Sequence, residues 1–181
     1  MRSFFARRSV NAFGEHYGYD VAFMHHILKL SPDAFFKFTA LTKLAQHRKA
    51  APKEAFYAAK LVGALTEDCG PCVQLVIDMA QEAGVPPGCV EAILQRNLSA
   101  MGVDTLIGYR FADALARRSP EQGDAREAVR QQWGEMGVLD LTFAVQIGRV
   151  FPMLKEGLGF AASCQRVRVG DQSVEVFKEV A

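Results

Sequence analysis

The sequence predicts an all-α chain that ends in a small C-terminal β-hairpin. Two observations carry the helical part: apolar residues recur at helical spacing over almost the whole length, and Ser-Pro, Pro or Asp residues stand where those runs begin. A third sets the hairpin apart. Arg166-Val167-Arg168-Val169 and Val174-Glu175-Val176-Phe177 alternate apolar and polar residues on either side of Gly170-Asp171-Gln172-Ser173.

The elements follow in chain order. Residues 1–8, Met1-Arg2-Ser3-Phe4-Phe5-Ala6-Arg7-Arg8, are basic with no acidic residue before Glu15. Their apolar run is too short for a targeting segment, and they read as a partly frayed terminus. Val21, Met24 and Leu28 mark a helix over residues 20–30. Ser31-Pro32-Asp33 caps the next, over residues 31–47, with Phe35, Phe38, Leu41 and Ala45 on one side. Pro52 opens a helix over residues 52–66, with Phe56, Ala59, Val62, Gly63 and Leu65 as core candidates. Val85-Pro86-Pro87-Gly88 is a turn before a short helix through Ile93 and Leu94. Asp104 is the expected cap of a helix over residues 105–117, and residues 119–124 form a loop. Helices over residues 125–136 and 139–157 complete the helical part, the last kinked at Pro152.

Composition bounds the function. The 181 residues, 50% of them apolar, fit a single domain over residues 1–181 with its core over residues 30–160. Lys and Arg number 21 against 20 Asp and Glu, which argues against a nucleic-acid partner. No apolar run reaches the roughly 18 residues that a membrane span needs. Four cysteines are too few for a disulfide scaffold. A cytoplasmic protein with one redox-active pair fits better than a secreted one.

That pair lies in Glu67-Asp68-Cys69-Gly70-Pro71-Cys72, followed by the apolar run of residues 73–80. Pro71 belongs in the first turn of a helix, so a helix begins within the motif and ends near Gly84. On it Cys72, Val76, Met79, Ala80 and Ala83 share one face, turning Cys72 inward, while Cys69 sits at the cap nearer to water. The helix N-terminus favours a thiolate; Glu67 and Asp68 oppose it. Cys-Gly-Pro-Cys is also the thioredoxin tetrad. There it follows a buried strand, usually with a tryptophan just before it. Here the preceding residues 55–65 are alanine-rich and helical in spacing, and Trp133 is far away, which excludes a thioredoxin fold. A second Cys/His pair at zinc spacing is absent, so no metal and no cofactor is expected. Cys89 and Cys164 read as buried or incidental thiols.

The apolar helix ending in Gly63-Ala64-Leu65-Thr66, the pair Cys69 and Cys72, the helix of residues 73–80 and the exit Gln81-Glu82-Ala83-Gly84-Val85 together resemble the alkylhydroperoxidase D-like branch of the carboxymuconolactone decarboxylase superfamily. The likeness extends more weakly into residues 109–115 and 139–154. It implies an all-helical subunit, commonly assembled into homo-oligomers as trimers or hexamers, whose thiol pair reduces hydroperoxides or relays electrons to a partner. Carried over, it makes Cys72 the attacking thiol and Cys69 the resolving one that meets the electron donor; the helix-dipole argument favours Cys69 as the more acidic, and the order stays open. Two members of the family's proton relay do not map. The expected histidine is Val76, and the expected glutamate is Tyr57. Glu54, one turn before Tyr57, and Tyr57 itself are the candidate replacements, with Glu67 a candidate for tuning the thiol pKa.

Three function classes follow. The first is an antioxidant thiol enzyme reducing hydroperoxides or protein disulfides with electrons from a thiol donor. The second is a non-catalytic oligomeric binding or structural module of the same fold, supported by the absent histidine and glutamate. The third is a lyase, against which the cysteine pair speaks. His25 and His26 are adjacent on one helix and diverge, so they do not form a shared metal site, although one could approach the thiols; His16 and His47 carry no signal.

Overall fold

The computed structural model describes residues 2–162 and 166–176. Among them the chain is all-α apart from one two-stranded antiparallel hairpin, as the sequence predicts. Cys164 and Phe177 lie outside the described residues.

The organising element is α5 (Lys53–Thr66), whose Ala55, Ala58, Ala59, Leu61 and Ala64 are completely buried. A helix buried on every side belongs at the centre of a bundle. Around α5 pack α6 (Gly70–Glu82), α7 (Pro87–Leu94), α8 (Val103–Arg117) and α9 (Gln122–Gly157). Small residues set the spacing. A Cβ at Gly63 of α5 would land on the Val145 carbonyl of α9, and one at Gly148 of α9 would land on the Lys60 carbonyl of α5. The two backbones therefore touch with no side chain between them.

Residues 2–8 are helical rather than frayed. They begin α1 (Arg2–Tyr17), because Ala6, Val10 and Gly14 make an i, i+4, i+8 stripe, and Ala6 and Val10 join a buried cluster with Leu28 and Phe35. Gly18 then turns the chain in the left-handed conformation (φ 58°), and the Tyr19 N–H donates to the Gly14 carbonyl at 2.9 Å. This is a Schellman ending, and Tyr19 after it reaches Cys72 of α6.

Next come α2 (Ala22–Leu30) and α3 (Pro32–Thr39), the latter capped by Ser31, whose hydroxyl accepts from the Ala34 N–H. The single helix expected over residues 31–47 is broken: α3 stops at Thr39, and a separate turn, α4 (Leu41–Leu44), follows. Thr39 and Thr42 donate their hydroxyls to carbonyls three residues back, a local alternative to the helical ladder. The loop that leads into α5 is fixed from α9. Buried Asp140 accepts through Oδ2 from the N–H groups of Lys49, Ala50 and Ala51 at 2.8, 2.7 and 3.0 Å.

Two further expectations are corrected. The N-cap of α8 is Gly102, and Asp104 instead lies in the first turn, where its charge complements the dipole. No loop separates residues 136 and 139, and the backbone departs from helical values at Gly134 (φ 68°, ψ −172°) rather than at Pro152. Among the described residues α9 is the one helix long and apolar enough, by length and composition alone, to cross a membrane. Its Leu141, Ala144 and Val145 belong to the buried core with α5.

The hairpin is β1 (Arg166–Val169) paired with β2 (Gln172–Glu175), in register Val167 to Val174 and Val169 to Gln172. The expected four-residue turn is two residues, Gly170 and Asp171, a loop length that suits the twist of paired strands. Val167, Val169, Val174 and Val176 are buried on one face. Gln74 of α6 grips the edge of β1, its amide donating to the Arg168 carbonyl at 3.0 Å and accepting from the Arg168 N–H at 2.7 Å.

Candidate active site

The corner between α5 and α6 is three residues long. Asp68 takes a left-handed conformation (φ 48°), and Cys69 follows as the N-cap of α6, its carbonyl accepting from the Cys72 and Val73 N–H groups at 3.0 and 2.9 Å. Gly70 donates its N–H to the Ala162 carbonyl from the segment after α9. With Cys69 at the cap and Cys72 in the first turn, their Cα atoms are 5.2 Å apart and the two sulfurs form a disulfide. The helix opens within the tetrad, and Gly84 (φ 75°) follows its end.

The expectation that Cys69 faces water is not met. Cys69 is 1% exposed and Cys72 4%. Val176, just past the hairpin, shares the lining of the space at Cys69, and Tyr19, just past α1, lies against Cys72. Each cysteine instead lines a cavity that is partly open to solvent, and the two cavities differ. Cys69 lines one of about 300 Å³ with Tyr109, Asp113, Arg117 and Val176. Cys72 lines one of about 800 Å³ walled mainly by aromatic and aliphatic side chains of α1, α3, α5, α6 and α9. The disulfide thus stands between a small, partly polar space and a large apolar one.

A tyrosine reaches the pair. The Tyr19 hydroxyl lies 3.7 Å from Cys72 Sγ, and since a disulfide sulfur has no proton, the phenol donates. Burial, with Asp20 adding to it, pushes the Tyr19 pKa far up, so this group stays a donor at any ordinary pH. Beneath its ring is the ammonium of Lys155, 4.7 Å from the ring centre; Lys155 is 1% exposed, and its pKa is lowered by burial, with Asp20 pulling the other way. A second buried lysine, Lys60, stands in the wall of the large cavity. It donates to the Ala45 carbonyl at 2.8 Å and lies over the rings of Phe56 and Tyr57, and burial pulls its pKa down to about 8.

The predicted auxiliary residues separate. Tyr57 lines the large cavity together with Cys72, and its pKa is raised by burial against a lowering influence of Arg48. Glu54 lies in the first turn of α5 and borders neither cavity. Glu67 is held by Arg149 of α9 at 2.5 Å, an ion pair that ties the corner to the core. Val76, where the resembled family has its histidine, is buried in the wall of the large cavity. Among the described residues no histidine borders either cavity: His25 bonds Asn11 at 2.7 Å, His26 packs on Phe160 and His47 lies 3.6 Å from Asp140. No group of three His, Cys, Asp or Glu side chains suited to a metal occurs among the described residues.

The chain matches no family model, no curated protein and no solved structure, so the functional reading rests on these residues. Sequence reasoning missed Tyr19, Lys60 and Lys155. Lys60 had a legible signal, a lone charge between Ala58-Ala59 and Leu61-Val62 on a helix with no polar face there. Tyr19 had none, because its approach to Cys72 depends on how α1 ends.

Proposed function

We propose that the protein is a thiol-disulfide enzyme that reduces hydroperoxides or partner disulfides through Cys72 and Cys69. The observation that carries the reading is the position of Cys72, in the wall of the large cavity and with its Sγ within reach of the Tyr19 phenol. In the reduced enzyme Cys72 attacks the terminal peroxide oxygen; the O–O bond breaks, the sulfur becomes a sulfenic acid, and the alkoxide takes a proton to leave as an alcohol. Cys69, already at bonding distance, then attacks that sulfur, releases water and closes the disulfide. A dithiol donor returns two electrons and two protons. With a disulfide partner the first step is instead attack on sulfur, with a partner thiolate as the leaving group.

The helix N-terminus supports a thiolate at Cys69, which as N-cap would receive backbone N–H groups the way a serine or aspartate cap does. Tyr19 supports the Cys72 thiolate by hydrogen bonding. This arrangement supplies a donor where the alkylhydroperoxidase D-like proteins that residues 30–160 resemble use histidine and glutamate, and it fits membership of that group. Exposed Leu30, Val103 and Met153 provide apolar surface for the homo-oligomer which that likeness implies. A second reading, a non-catalytic module of the same fold, draws on the near-complete burial of both sulfurs.

Peroxide consumption with a dithiol donor separates the two readings. The enzyme reading expects turnover that Cys72→Ser abolishes and that Cys69→Ser reduces to a single slow event per chain. No consumption above the donor's own background, with a disulfide that resists reduction in the folded protein, would sink it in favour of the module.

A further inference from the structure

We propose that the large cavity beside Cys72 binds a long-chain monocarboxylate, with the acyl tail among the aromatic side chains and the carboxylate at the Lys60 ammonium. The cavity, partly open to solvent, holds about 800 Å³, within the range of small-molecule pockets. Its walls include Phe13, Phe35, Phe38, Leu75, Met79 and Phe151. Such a lining selects an apolar body.

The head group follows from Lys60. Its side chain is 4% exposed, and among the described residues no carboxylate lies within ion-pair distance. One of its three protons goes to the Ala45 carbonyl, and the ring faces of Phe56 and Tyr57 supply partial compensation. A buried cation without a counter-ion is costly, and an anion brought by a ligand removes that cost. The other charged residues of the cavity, Arg48 and Glu82, are solvent-exposed. One buried positive charge in an apolar chamber matches one negative charge on an apolar chain. A polyanion or a sugar would leave polar groups unpaired.

The ligand class rests on the cavity and Lys60. That hydroperoxides of such acids are the enzyme's substrates rests in addition on the thiol-pair reading, because the same chamber opens onto Cys72. The test uses the oxidised full-length protein with cis-parinaric acid as fluorescent probe, displaced by oleate or by methyl oleate. Oleate is expected to displace the probe about tenfold or more better than its ester, as a charge-assisted contact implies. Lys60→Met should erase that preference while still binding the ester, and Met79→Trp should weaken both by filling the wall. Absence of probe binding, equal displacement by acid and ester in the wild type, or an acid preference that survives in Lys60→Met overturns the proposal. If Lys60→Met does not fold, the wild-type acid-to-ester ratio and Met79→Trp decide alone. Because binding is read without peroxide, dead turnover with intact binding overturns only the thiol chemistry, and turnover of hydrogen peroxide without acid binding overturns only this assignment.

Discussion

The Tyr19 hydroxyl stands 3.7 Å from Cys72 Sγ, joining the turn after α1 to the first turn of α6. The contact exists because Gly18 ends α1 in a left-handed turn, so the helix that starts within the residues read as a loose terminus ends by placing Tyr19 beside the disulfide. Tyr19→Phe keeps the ring against the Lys155 ammonium and removes only the donor. A hydrogen bond to a charged partner contributes about 1.5–3 kcal/mol, so the oxidation rate of reduced Cys72 by peroxide should fall roughly 10- to 100-fold. Stopped-flow oxidation of the reduced variant checks this; a rate within about twofold of wild type would remove Tyr19 from the site.

Lys60 makes stability depend on alkaline pH. Its folded pKa, about 8, lies below the ordinary 10.5, so the folded chain is penalised below pH 8 and the penalty lifts as pH rises toward 10.5. The gain across that window is on the order of 3 kcal/mol, and Lys155, lowered by burial in the same direction, adds with the same sign. The tyrosines act oppositely. Tyr17, pushed up to about 12, and Tyr19, raised further, hold protons that the unfolded chain loses above pH 10, so stability falls there. Urea denaturation should therefore show a maximum near pH 10, with Lys60→Met flattening the rising limb and sparing the falling one. A wild type that loses stability steadily from pH 8 upward contradicts this.

The close approach of α5 and α9 predicts opposite outcomes for the same change. Gly63→Ala places a methyl on the Val145 carbonyl, so overpacking of about 1–3 kcal/mol outweighs a helix-propensity gain of up to about 1 kcal/mol. Gly157→Ala, near the end of α9 with open space around its Cβ, keeps the gain without the clash. Thermal melts should move down for the first and stay level or move up for the second.

The elements were legible to different degrees. The α5 and α6 boundaries follow from Pro52, Pro71 and Gly84, which act locally, and the hairpin follows from its valine alternation. Helix α1 was not legible, because the stripe Ala6, Val10, Gly14 looks weak until Leu28 and Phe35 are there to receive it. The break in α9 falls at Gly134, whose backbone conformation is closed to other residues, while the backbone at Pro152 stays helical. At the site, the sulfurs were legible as a pair; their burial was not, because Val176 and Tyr19, which lie beside them, are distant in sequence.

Gln74 holds the hairpin edge by both backbone groups of Arg168, and Val176 beyond β2 borders the cavity of Cys69. Gln74→Ala should loosen this cover, costing about 1–2 kcal/mol, and raise the rate at which iodoacetamide labels Cys69 in the reduced protein. Unchanged labelling would mean that Cys69 is shielded from elsewhere.

The central claim is that Cys69 and Cys72 cycle together between dithiol and disulfide at the expense of a peroxide. Fully reduced protein given one equivalent of hydroperoxide, quenched and mapped by peptide mass spectrometry, tests it directly. The account predicts loss of two thiols per chain, both found in a Cys69–Cys72 disulfide, with one equivalent of alcohol released. Recovery of both thiols unreacted, or oxidation that falls on Cys89 or Cys164 instead, would contradict it.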